Sequence, residues 1–214
     1  MKFLVLAVSY KYGGLCVAGI DYDTLNYVRL GHEVHNSSDC AALTVAEMTV
    51  NGKVLNIGDL IEVNVKKLLV NGCQTENYSL LNVVRKIKTL TIQEIKQVYR
   101  SIAHSQYIFN DSNKLISPNN INNVNVSIGF FKVNNLIITN MGYNKTKLKA
   151  SFTYNNNGYC DMTVTDCVFC AYPSAYGSNA KTGSFKDAYI MVTLPYDIWS
   201  QTNGFYKYVS GIII

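Results

Sequence analysis

The sequence predicts an all-β protein: two strand-rich halves with a helical connector between them. Three observations carry that expectation. Short runs of Val, Ile, Tyr and Phe recur along the chain between Gly-, Asn- and Asp-bearing turns, the pattern of half-buried strands. Only one segment, Leu90 to Ile102, shows clear helical spacing. An Asn-rich stretch, residues 110–125 (NDSNKLISPNNINNVN), then separates the halves, and Pro118 disfavours a helix there. The expected divisions are residues 1–89, 90–125 and 126–214 of the 214-residue chain.

The first half reads as a small β-barrel. Residues 3–8 (FLVLAV) form a buried first strand; the run is too short for a secretory leader, and Ser9-Tyr10-Lys11-Tyr12 follows in place of a cleavage site. Gly13-Gly14 makes a tight corner into the next run, Leu15 to Ile20, with one glycine free to take a positive φ or to admit a close neighbour. Strands follow at 25–30 and, after a turn or helix at 43–48 and the Asn56-Ile57-Gly58-Asp59 turn, at 59–70. In the last of these, Ile61, Val63 and Val65 alternate with Glu62, Asn64 and Lys66.

Thr91-Ile92-Gln93-Glu94 reads as a capping box opening the helix, with Ile92, Ile95, Val98 or Tyr99, and Ile102 on one face. Beyond the Asn-rich stretch, strands are expected at 126–133, 136–141, 147–154, 159–165, 188–194 and 205–214. The strand at 147–154 alternates without a break. Leu148, Ala150, Phe152 and Tyr154 share one side, Lys147, Lys149, Ser151 and Thr153 the other, and Asn155-Asn156-Asn157-Gly158 turns the chain back.

Catalytic chemistry finds no constellation. Cys167-Val168-Phe169-Cys170 is one CxxC without a second pair, and two half-buried thiols explain it. His32 and His35 lack the helical spacing of a zincin, and His104 follows the helix without a paired nucleophile. No phosphate-binding GxxxxGK[ST] or GxGxxG is present. The chain is therefore read as no enzyme, with no cofactor and no metal. All six cysteines are expected to be free thiols in a cytoplasmic setting, and no apolar run reaches membrane-spanning length.

What is left is basic and aromatic. The net charge of +5 permits an anionic partner without requiring one, and sixteen tyrosines suit both strand cores and wet binding faces. Lys11 and Tyr12 sit at the opening corner, Arg85-Lys86-Ile87-Lys88 forms a cluster before the helix, and Lys145, Lys147 and Lys149 form a stripe. Cations that track a backbone, beside aromatic faces for bases, hold single strands.

Four pieces, SYKYGGLCVAGID (9–21), DLIEVNV with QTEN (59–65 and 74–77), VTD (164–166) and FYKYVSGIII (205–214), together resemble the dual OB-fold domain of bacterial proteins. Tyr27-Val28-Arg29-Leu30 departs from the family's aromatic-I-R-P, keeping only the aromatic and Arg29. The resemblance implies two OB-like β-barrels and recognition of nucleic acid, single-stranded DNA or RNA, in bacterial conflict or defence systems. OB barrels take ligands on the face of their second and third strands. That points to Lys11, Tyr12, Tyr22, Tyr27 and Arg29 in the first barrel and to Lys147 and Lys149 in the second. Gln74, Glu76, Asn77, Thr165 and Asp166 are expected to be structural. The alternative function is a protein-interaction module that uses barrel edges and loops.

Overall fold

The computed structural model describes the chain except for residues 12, 35–39, 69–73, 143–146 and 197–202 and the side chains of residues 11 and 40. Five strands build the first barrel: β1 (Lys2–Lys11), β2 (Gly14–Asp21), β3 (Tyr27–Glu33), β4 (Asp59–Lys67) and β5 (Asn77–Thr89). The ring closes in the order β1-β2-β3-β5-β4-β1, antiparallel except for the parallel β3–β5 pair.

The second barrel repeats this connectivity with β6 (Ile128–Asn140), β7 (Leu148–Tyr154), β8 (Asn157–Val164), β9 (Gly183–Thr193) and β10 (Tyr208–Ile213). Its ring runs β6-β7-β8-β10-β9 and is again parallel at one pair only, β8–β10. Two rings of five strands sharing one topology match the expected pair of OB-like barrels.

The apolar run of β1 has no polar alternation because both of its faces are buried. Phe3, Val5 and Val8 fill the first barrel, while Leu4, Leu6 and Ala7 face a second cluster with Phe130, Tyr189 and Met191 of the other barrel. At Gly211 in β10 a Cβ would stand 2.1 Å from the Leu6 carbonyl oxygen, so the two barrels meet backbone to backbone.

Helix α1 (Ile92–Arg100) covers this seam with Ile95 and Val98. Its capping box forms as expected: Thr91 Oγ1 accepts from the Glu94 amide at 3.3 Å, and Glu94 accepts from the Thr91 amide at 2.7 Å. A short helix α2 (Cys167–Cys170) is capped by Asp166. That carboxylate is fully buried and accepts from the amides of Val168, Phe169 and Ile212 at 2.8–3.0 Å, which ties α2 to β10.

At the opening corner the two glycines do different work. Gly13 has φ +84°, and a Cβ on Gly14 would lie 2.6 Å from the Leu43 carbonyl oxygen. Asn155 and Asn156, both left-handed (φ 46° and 63°), form a two-residue turn between β7 and β8.

The structure corrects two expectations. Strand β5 was not anticipated, and it carries Arg85-Lys86-Ile87-Lys88 within the sheet. The expected strands at 126–133 and 136–141 are one strand, β6, and Asn135 with φ 52° marks its irregularity. The stretch at 43–48 makes a turn, one of the two forms expected of it. The Asn-rich segment is packed on the second barrel: Leu115–Ile116 pairs with Phe205–Tyr206, and Ile116, Val124, Leu194 and Phe205 form a small core beneath it.

Candidate nucleic-acid interface

Pairing on the β2–β3 ladder shows what became of the first barrel's ligand face. Val17↔Leu30 and Gly19↔Val28 turn inward, while Ala18↔Arg29 and Ile20↔Tyr27 turn outward. Outward here means against the second barrel. Tyr27 Oη accepts from the Phe130 amide at 3.0 Å, and burial raises its phenol to about 12. Tyr22 packs at the edge of the same inter-barrel cluster.

Arg29 is 4% exposed and lies 3.4 Å from Glu76. It donates to Ser127 Oγ at 2.7 Å and to the Leu194 carbonyl at 3.3 Å. Glu76 in turn accepts from both the amide and the hydroxyl of Ser127. With its amide oxygen turned to the guanidinium, Gln74 accepts from Arg29 Nη1 at 3.0 Å and from the Tyr196 amide at 3.1 Å. Arg29 is thus buried in the joint between the barrels, and Tyr27 bonds across the joint while part of the residue stays exposed. Gln74 and Glu76, expected to be structural, serve this joint. Tyr12 and the Lys11 side chain lie outside the described residues.

The second barrel keeps the corresponding face open. Along β7 burial alternates at every position, and Lys149 stands on the outer side. The ladder sets Thr139, Lys149, Thr163 and Tyr208 side by side across four strands. Lys149 donates to Thr163 Oγ1 at 2.7 Å. Partial burial lowers its pKa first, and the neighbouring charges of Lys147 and Lys114 lower it further. Lys147 itself is exposed.

Two features of this face escaped the sequence reading. The connector brings Lys114 to it, beside Leu115 and its partner Tyr206. Tyr206 and Tyr208, both partly exposed, have ring centroids 6.5 Å apart. Their signal lay in Phe205-Tyr206-Lys207-Tyr208, where alternation sends both tyrosines one way and Lys207 the other. Lys207 is 1% exposed and donates to the carbonyls of Asp111 and Asn113 at 2.6 and 2.5 Å. Burial brings its ammonium down to about 8. It pins the connector beside Lys114.

The other basic cluster is neutralised within the fold. Arg85 pairs with Glu62 at 2.7 Å, Lys86 with Asp59 at 2.6 Å and Lys88 with Glu94 at 2.5 Å. Among the described residues no group of three or more His, Cys, Asp or Glu gathers as metal ligands would. Cys16, Cys160, Cys167 and Cys170 are free thiols, while Cys73 and His35 lie outside the described residues. Burial raises the Cys170 thiol to about 12 and Cys167 higher still, away from the reactive thiolate. His32 is held by Glu47 at 2.7 Å, and His104 stacks on Tyr99. Among the described residues no helix is long and apolar enough to cross a membrane.

No curated protein and no solved structure matches this chain. The family model described as the dual OB-containing domain matches residues 1–212, which takes in both rings of strands and the connector. The chain belongs to the dual OB-containing domain family.

Proposed function

We propose that the protein binds single-stranded nucleic acid, without catalysis, on the outer face of the second barrel. The observation that supports this most is the gathering of Lys114, Lys147 and Lys149 with Tyr206 and Tyr208. They stand on the face where OB barrels take oligonucleotides. Lysines there would track phosphates and the two rings would stack on bases. A cytoplasmic sensor in a bacterial defence system is the setting we infer from the family resemblance.

The test is a fluorescence-anisotropy titration with single- and double-stranded DNA and RNA at two salt concentrations. Salt-sensitive binding, tighter for single strands and weakened by Tyr206→Ala, is expected. No binding to any oligonucleotide at tens of micromolar refutes the proposal.

A protein-interaction role is the second reading, and one observation favours it. Leu81, Val84 and Ile87 are exposed on β5, at every third position. Three bulges against β4 skip these same residues. Exposed apolar rows of this kind mark contact surfaces. Capture of a protein partner that Val84→Lys abolishes would favour this role.

A further inference from the structure

After α1 the chain does not run directly to the second barrel. Residues 103–105 and 109–110, with 123–126, fold back over the start of β6 and border an open cleft of about 330 Å³. That size falls at the lower end of small-molecule sites. Tyr27, Phe109 and Phe131 contribute aromatic surface, and Asn110, Asn123 and Asn125 are also among its lining residues. The three asparagines are exposed, and among the described residues no lysine, arginine, aspartate or glutamate lines the cleft. His104 also lines it, but its Nε2 is engaged with the Tyr99 carbonyl at 2.8 Å.

The backbone around the cleft is unusual in two ways. Phe109 and Asn110 are consecutive non-glycine residues in the left-handed region, both with φ 56°. An aromatic residue there is uncommon, and such strain concentrates at binding sites. At Gly129 a Cβ would stand 2.6 Å from the Phe131 ring and 3.6 Å from the Phe109 ring. The missing side chain therefore lets both rings close on one stretch of backbone, edge to face with centroids 6.2 Å apart.

The chemistry of the lining selects a ligand class. With no lysine, arginine, aspartate or glutamate among its described lining residues, the cleft is not built around a permanent charge. Each asparagine amide offers a donor and an acceptor together, which is the pattern on the edge of a nucleobase. Aromatic walls suit a flat π-system. We propose that this cleft binds a neutral planar heteroaromatic of the nucleobase class, its edge met by the asparagine amides and its face by Phe109. The source is either a free nucleoside or a base extruded from a bound strand. The cleft is separate from the lysine face, and the inference stands whether or not that face binds nucleic acid.

The test uses adenosine, guanosine, cytidine and uridine as probes, with calorimetry and saturation-transfer NMR on the whole chain. At least one should bind saturably to the wild type. Phe109→Gly removes the ring while suiting the left-handed backbone, and it should weaken binding about tenfold or more. Asn123→Ala/Asn125→Ala alters only exposed side chains and should weaken binding comparably. That pair decides the matter if the melting temperature of Phe109→Gly falls. Lys147→Gln/Lys149→Gln should leave nucleoside binding unchanged. An oligonucleotide that displaces the nucleoside identifies an extruded base as the source; one that binds alongside it identifies a free nucleoside. No saturation with any of the four probes, or an affinity that the asparagine variant leaves untouched, overturns the inference.

Discussion

Replacing Arg29 by Met probes the joint between the barrels most directly. The Arg29 and Glu76 side chains are 5% and 2% exposed. In Arg29→Met the Glu76 carboxylate stays buried and, among the described residues, keeps Ser127 as its partner on the second barrel. Breaking a buried pair from one side costs roughly 3–5 kcal/mol, because an uncompensated charge is left behind. For a chain of this size each kcal/mol shifts the melting temperature by about 2–4 °C, so a drop of roughly 10 °C is expected. Urea denaturation followed by circular dichroism supplies the free energies. The second arm is Arg29→Met/Glu76→Leu, which removes both charges. If the cost lies in the orphaned carboxylate, the double variant is more stable than Arg29→Met, and a coupling of about 2 kcal/mol or more separates it from the sum of the single variants. A loss below about 1 kcal/mol in Arg29→Met, or additive single effects, would refute the account of the joint.

Gly14→Val forces a side chain against the Leu43 carbonyl and Ala42, 2.6 and 2.7 Å from the new Cβ, and should cost roughly 1–3 kcal/mol in a thermal melt. Lys147→Gln/Lys149→Gln should flatten the slope of log K against log salt by roughly one unit for a single strand, with little change in stability. Lys207 supplies a pH signature: its pKa of about 8 in the fold lies below the unfolded value. The unfolded chain therefore holds this proton across pH 8–10, and stability should rise with pH in that window, by roughly 3 kcal/mol at most. Above pH 10 the raised phenols of Tyr27 and Tyr154 act the opposite way. Lys207→Met should lose the rise at pH 8–10, and identical slopes in the two proteins would count against a buried charged lysine.

The fold was legible where periodicity was clean. β7 alternates without interruption, α1 carries its own capping box, and the doubly buried β1 reads as a continuous apolar run. β5 was missed for a physical reason: each bulge inserts a residue, so its apolar residues recur at 81, 84 and 87 and not at every second position. The site was legible in part. Lys147 and Lys149 stood out because their strand alternates. Arg29 and Tyr27 were assigned to a ligand because a cation and an aromatic on a strand look the same whether they face a phosphate or another barrel. Contacts distant in sequence distinguish the two: Arg29 with Ser127, ninety-eight residues away, and Tyr27 with the Phe130 amide. Lys114 came into view only with the fold of the connector.

The burial of Arg29 on the first barrel's β2–β3 face bears on the valence of the proposed binding. Two barrels with open faces would engage one long strand twice, and the second contact would be intramolecular, raising avidity by orders of magnitude once the strand could span both. On the proposed binding, with the lysine face as the binding face, the chain engages a strand at one barrel, and the expected footprint is that of a single OB barrel, roughly 4–16 nucleotides. Lengthening an oligonucleotide beyond that should add only the statistical gain of more starting positions, with no step in affinity at the length that would bridge two barrels.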